Sequence, residues 1–150
     1  MKKKITWVVV ADHQRGRILA NDGPGRGLQP VEGMSFETHL HTDHELVTDR
    51  LPRTSESQGS GSHHAIEPRV NPHRQEAERF VAMMAERIAA AAERREFDQL
   101  VLIAPARALG ELRKHLPHRV RETVIGELDR DLTKNSTESL HEHVASFLAL

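Results

Sequence analysis

A short histidine-rich stretch, His-Leu-His-Thr-Asp-His at residues 39–44, carries side chains at a spacing that could do metal chemistry. The candidate ligands are His39, His41, Asp43 and His44. Imidazole nitrogens and carboxylate oxygens bind Zn²⁺ and, for imidazole, Ni²⁺. The pattern therefore indicates either a weak, adventitious metal site or a solvated segment whose histidines titrate near neutral pH.

This spacing resembles the HxHxDH signature of the metallo-β-lactamase superfamily. In that superfamily the motif lies between a strand and a helix of a four-layer αββα fold, and distant loops supply the remaining ligands. A chain of 150 residues with one predicted sheet is too short for such a fold. Eleven histidines in one chain also make a coincidental match unsurprising. We therefore exclude the superfamily and predict no cofactor.

The overall composition predicts a single domain, residues 1–150, without a strong net charge. Lys and Arg number 21 and Asp and Glu number 22, so an anionic partner has to be met by a local patch. The chain has no cysteine, which excludes disulfides, thiolate zinc sites and cysteine nucleophiles.

The first residues, MKKKITWVVVAD, have to be distinguished from a signal peptide. The apolar run that begins at Ile5 is broken by Asp12, and arginines follow where a hydrophobic region of ~7–15 residues would lead to a cleavage site. No segment reaches the ~20 apolar residues of a membrane span. We predict a cytoplasmic protein with no membrane partner.

The order of apolar runs and turn residues predicts an α/β fold. Three strands, at 5–11, 17–20 and 29–37, are separated by short turns and favour an antiparallel meander. A long flexible loop at about 38–70 follows. The remaining chain predicts a helix from Asn71-Pro72, a strand at 99–104, a short helix, a strand within 119–128 and a final helix capped by Ser136.

This order, β-β-β-α-β-α-β-α, matches the ribonuclease H-like architecture. We expect a five-stranded mixed sheet in the order 3-2-1-4-5 with helices on both faces. The carboxyl ends of strands 1 and 4 would then form the topological switch point, where ligands bind in open α/β sheets.

Asp12 ends strand 1 and is the crevice residue of this predicted switch point. Ribonuclease H-like nucleases hold two metal ions with carboxylates, but strand 4 ends in Ala104-Pro105, so a nuclease at Asp12 is the lesser alternative. The helix that starts after Pro105 offers free N–H groups, and with Arg107 it could hold an anion beside Asp12 and Arg15. The alternative is that Arg107 lies on a solvated first turn.

Three separated blocks of sequence resemble the bacterial host attachment protein family, whose members are described as required for attachment to host cells. The blocks are LVLIAPARALGELRKHL at 100–116, ELDRDLT at 127–133 and HHAIEPRVNPHRQEAERF at 63–80, and WVVVAD near the start also fits. The family is similar to the middle domain of archaeal and eukaryotic class 1 peptide-chain release factors. The resemblance implies a ribonuclease H-like fold and a ribosome- or RNA-linked role.

Release factors carry a Gly-Gly-Gln loop that helps water attack an ester bond in the ribosome. The corresponding segment here is glycine-rich and polar but is not Gly-Gly-Gln, so no catalytic residue is carried over. Its candidate residues are Gln58, Gly59, Gly61, His63 and His64. Peptidyl-tRNA-type hydrolysis through residues 58–64 remains an alternative, as does a flexible loop without a role.

A cluster of basic residues lies in the second half of the chain and is the footprint expected for phosphate contacts. With Arg15, the candidate anion or RNA ligands are Arg107, Arg113, Lys114, Arg119 and Arg121. Aromatic residues make up only 3% of the chain, so there is no stacking platform for single-stranded RNA. The alternative is a solvated helix face.

The sequence thus favours a cytoplasmic binding module, not clearly an enzyme, whose partner is the ribosome or RNA and whose effect on attachment is indirect. A hydrolase, either peptidyl-tRNA-type or a metal-dependent nuclease, is the rival class. A surface adhesion factor is a third. Helix and sheet edges would also allow a homo-oligomer.

Overall fold

The computed structural model describes residues 3–38 and 71–147, and their strands form one five-stranded sheet in the order β3-β2-β1-β4-β5. The predicted loop lies outside the described residues, apart from Thr38. The elements are β1 (Thr6–Ala11), β2 (Arg15–Asn21), β3 (Gln29–Glu37), α1 (Pro72–Glu93), β4 (Gln99–Ala104), α2 (Ala106–His115), α3 (His118–Arg121), β5 (Val124–Asp129) and α4 (Thr137–Val144).

The sheet is mixed, as predicted. β1 pairs antiparallel with β2, and β2 pairs antiparallel with β3, because short connections without a helix join them. β1 pairs parallel with β4, and β4 with β5, because helices make those crossovers. β1 is therefore the central strand, and all six of its residues are buried, which explains its continuous apolar sequence.

The first face of the sheet is covered by α1 and α2. α1 begins where predicted: the Asn71 side chain accepts hydrogen bonds from the backbone N–H groups of His73 and Arg74, and Pro72 occupies the first helical position. The buried stripe of α1 comprises Ala77, Phe80, Val81, Met84, Ala85, Ile88 and Ala91. It packs on alternate strand residues such as Val9 and Leu102.

The second face is covered by α4, which begins at the predicted cap Ser136. Leu140 and Val144 of α4 pack against the strand residues that point away from α1, including Val10 and Ile103. Helices therefore lie on both faces, as expected. α4 has only 8 residues against 22 in α1, so its cover is shorter.

The structure adds one element and extends another. The last strand, predicted within 119–128, is Val124–Asp129, and the residues His118–Arg121 before it form the short helix α3 after Pro117. β2 is longer than predicted, since its pairing with β1 continues to Gly16 opposite Ala11, next to the tight turn. No helix within 3–38 and 71–147 is both long and apolar enough to cross a membrane.

Candidate functional site: the carboxyl ends of the central strands

The predicted switch point exists. β1 has an antiparallel neighbour on one side and a parallel neighbour on the other, and the carboxyl ends of β1, β4 and β5 lie side by side. Three connections border this crevice: the β1–β2 turn, the start of α2 after Pro105, and the segment between β5 and α4. Each contributes polar side chains.

Asp12 holds the β1–β2 turn together. Its Oδ1 accepts hydrogen bonds from the backbone N–H groups of Gln14 at 2.7 Å and Arg15 at 2.8 Å. The Thr133 hydroxyl, which is almost fully buried, lies 3.3 Å from Asp12 Oδ2 and 2.8 Å from Asp131 Oδ1. Asp12 thus makes the local bonds typical of turn aspartates and ties the first strand to the segment after the last one.

The nuclease alternative needs a cluster of carboxylates around metal ions. In the parts of the chain that the structure describes, no group of three or more His, Cys, Asp or Glu side chains is placed to hold a metal ion. The described crevice therefore offers no support for a metal-dependent nuclease at Asp12.

A histidine–glutamate pair, missed by the sequence analysis, lies beside this turn. His13 Nε2 is 2.7 Å from Glu111 Oε1 of α2, and both side chains are largely buried. Arg107 Nε lies 3.4 Å from the other Glu111 oxygen. The four-residue spacing of Arg107 and Glu111 is a local signal for their contact. His13 gives no such signal, because 98 positions separate it from Glu111.

The sequence allowed two alternatives for Arg107: an anion site with the start of α2 beside Asp12 and Arg15, or a solvated first turn. The structure gives Arg107 and Arg15 different surroundings. Arg107 faces Glu111, whereas Arg15 lies on the α4 side of the sheet beside Arg17, a residue that the sequence analysis did not single out. The side chains of Arg15 and Arg17 line a cleft of about 200 Å³. Their Nε atoms are buried and have no hydrogen-bond partner within the described part of the chain.

The predicted basic cluster on α2 and α3 is exposed, and most of its members face acids. Arg113 Nε lies 2.9 Å from Glu127 of β5, and Arg119 forms an ion pair with Glu93 at the end of α1. Arg121 has no hydrogen bond or ion pair from its side chain to any described residue. These acids reduce the positive potential that the sequence alone implied.

Lys114 and His115 meet one acid of α1. Lys114 Nζ and His115 Nε2 each lie 3.0 Å from Glu78 Oε2. The hydrogen bond from Lys114, followed by that from His115, lowers the pKa of Glu78 below its ordinary value of 4.5, since both favour the charged carboxylate. This contact joins α1 to α2 at the surface.

Two sets of predicted site residues lie outside the described residues and stay predictions. One is the glycine-rich loop set, Gln58, Gly59, Gly61, His63 and His64. The other is the weak metal set, His39, His41, Asp43 and His44.

The fold defines an α/β protein built on one five-stranded mixed sheet with helices on both sides. The chain belongs to the family of proteins required for attachment to host cells, because the sequence profile of that family matches residues 7–144. This confirms the resemblance seen in the sequence. No curated protein matches the chain.

Two solved archaeal structures are similar to this chain. One, described as an archaeal protein, has 12% sequence identity and a TM-score of 0.49 over 94% of this chain. The other is an archaeal translation termination factor, with 10% identity and a TM-score of 0.49 over 95% of this chain. The chain spans only 33% and 38% of those two longer chains.

Proposed function

We propose that this host attachment family member is a cytoplasmic binding module of ribonuclease H-like architecture, and that it acts on a ribosome- or RNA-linked step. Attachment to host cells is then affected indirectly, through translation or gene expression. The antiparallel meander, the two helical crossovers and the strand order 3-2-1-4-5 support the architectural part of this proposal.

The functional part of the proposal rests on a difference in exposure and bonding between two groups of polar side chains. In the crevice they bond to one another, as Asp12 does with Thr133 and His13 with Glu111. On α2 and α3 they are exposed cations, and their acid partners are exposed or half-exposed too. Exposed ion pairs contribute only ~0–1 kcal/mol each, so phosphate groups of RNA can replace those acids.

The similarity of the host attachment family to the middle domain of release factors makes the ribosome the first partner to test. The experiment is co-sedimentation of the purified protein with ribosomes at low and moderate salt. The test variant carries Arg113→Gln, Arg119→Gln and Arg121→Gln. If all three contact phosphates, the slope of log affinity against log salt becomes shallower by about 2, because each contact to single-stranded RNA contributes ~0.7.

The matched control changes three exposed cations elsewhere, Arg26→Gln, Arg74→Gln and Lys134→Gln, and has the same net charge as the test variant. Equal weakening by both variants means that only overall charge matters and contradicts a site on α2 and α3. No association of the wild-type protein at either salt contradicts the proposal as a whole.

A third variant, with alanine at Gln58, Gly59 and Gly61, tests the glycine-rich loop separately. Weaker association of this variant would favour a loop contact and justify an assay of peptidyl-tRNA hydrolysis. No observation on the described residues favours that hydrolysis, a nuclease or surface adhesion over binding.

A further inference from the structure

The cleft beside β2 is produced by the alternation of that strand. Gly16 and Ile18 point to α1, whereas Arg15 and Arg17 point to the other face, where α4 covers the sheet only in part. Because the two arginines are two positions apart along the strand, their Cα atoms are about 7 Å apart. The hydroxyl-bearing residues Ser35 and Thr133 and the acid Glu37 also line the cleft.

Both arginines carry donors without acceptors. The Nε atoms of Arg15 and Arg17 are buried and unbonded, and the main-chain oxygen of Asn135, which accepts from Arg17 Nη2, is the single acceptor that either guanidinium has among the described residues. No described carboxylate lies within ion-pair distance of either arginine. A buried charged donor without a partner is unfavourable, and the two like charges also repel each other.

We propose that this cleft binds one phosphate dianion, either inorganic phosphate or the terminal phosphate of a small phosphomonoester. Two guanidinium groups match its charge and can each donate two parallel hydrogen bonds. A volume of about 200 Å³ is below the ~300 Å³ at which pockets for whole small molecules begin, so the cleft holds one ionic group and any remainder projects outward. The site is independent of the proposed RNA contact on α2 and α3.

The acids around the cleft determine how strongly it attracts an anion. Glu37 lies opposite Arg15 across β2 and β3 and is exposed, so it lowers the positive potential at the rim. Asp12 and Asp131 are within hydrogen-bond distance of the Thr133 hydroxyl, and both accept hydrogen bonds from backbone N–H groups. Of these three, Glu37 lines the cleft itself, and its removal should strengthen phosphate binding.

The test is isothermal titration of the full chain with inorganic phosphate, at an ionic strength held constant with chloride. We expect saturable one-site binding by the wild type. Arg15→Gln should weaken it at least about tenfold, since a charge-assisted pair is lost. Arg74→Gln removes the same charge at an exposed position outside both proposed sites and should leave the affinity unchanged.

Glu37→Gln should tighten binding. This gain cannot result from unfolding, so it tests the site even if Arg15→Gln fails to fold. No saturable binding by the wild type, equal loss in Arg15→Gln and Arg74→Gln, or no gain in Glu37→Gln would each overturn the site.

The source of the phosphate is resolved by titrating glycerol phosphate and dimethyl phosphate in parallel. Tighter Arg15-dependent binding of glycerol phosphate assigns the site to a phosphomonoester, and tighter binding of inorganic phosphate assigns it to the free anion. Dimethyl phosphate is a monoanion that represents internal RNA phosphates. If it binds as tightly as the dianions in an Arg15-dependent way, the dianion assignment is wrong.

Discussion

The two faces of the sheet are covered unequally. On one face a 22-residue helix and α2 enclose an apolar core that runs across the strands. On the other face the eight-residue α4 covers the central strands, and the β2–β3 side carries Arg15, Arg17 and Ser35. The first face holds most of the apolar packing, whereas the second face carries the polar cleft that we propose as a phosphate site.

The largest expected difference between the faces comes from neighbouring residues of β4. Leu102 points to α1 and Ile103 to α4, and both are fully buried. Leu102→Ala should lower the free energy of unfolding by about 3–5 kcal/mol, and Ile103→Ala by about 2–3 kcal/mol, because the thinner cover can close a cavity more easily. Urea unfolding of both variants measures this, and equal losses would break the comparison.

Two glycines probe how tightly each face is packed. A Cβ at Gly16 would lie 2.4 Å from the sulfur of fully buried Met84, and a Cβ at Gly126 would lie 2.3 Å from the half-buried ring of Phe147 on the α4 side. We expect Gly16→Ala to destabilise by about 1–3 kcal/mol and Gly126→Ala by less, since Phe147 is only half-buried and can shift more easily than fully buried Met84. Thermal unfolding of both variants tests this order, and a larger loss at Gly126 would contradict it.

Asp12 allows a further test of the second face, because its hydrogen bonds stabilise the β1–β2 turn at the polar end of that face. Asp12→Ala removes the acceptor for the N–H groups of Gln14 and Arg15 and should destabilise by about 1–2 kcal/mol. Asp12→Asn keeps an oxygen acceptor and should lose less. If both variants are as stable as the wild type, the turn bonds do not hold this end together.

The smallest effect concerns the surface contact between α1 and α2. The folded state lowers the pKa of Glu78, so its contribution is present above pH 4.5 and is lost as the pH falls from that value through the lowered pKa. Because the Glu78 side chain is about a third exposed, we expect less than about 1 kcal/mol. Glu78→Gln should remove this acid dependence of urea unfolding, and the exposed neighbour Glu86→Gln should retain it.

The sequence was a good guide wherever the signal is local. The Asn71 and Ser136 caps, the buried runs of β1 and β4 and the meander were all predictable from adjacent residues. The strand order then followed by analogy with the ribonuclease H-like architecture. α3 was missed because Pro117 ends one helix and begins another with no break in the hydrophobic pattern.

The site was less predictable, because its contacts join distant positions. His13 meets Glu111 only after β1 and α2 come together. Arg15 and Arg17 are two positions apart, so they point to the same face of the sheet if both belong to one strand. Because the sequence analysis began that strand at residue 17, it placed Arg15 in a turn and did not predict the shared face. The acids that face Arg113 and Arg119 come from β5 and α1, so the basic cluster looks more positive in the sequence than in the fold.

The central position of β1 has a consequence for the protein during its synthesis. β1 can pair with β2 once residue 21 has emerged from the ribosome, but its other edge stays open until residue 104, the last of β4, has emerged. At ~5–20 residues per second, these 104 − 21 = 83 residues take about 4–17 s. During that interval the nascent chain exposes the unpaired edge of β1, Thr6–Ala11, to neighbouring chains on the polysome, although all six residues are buried in the folded protein.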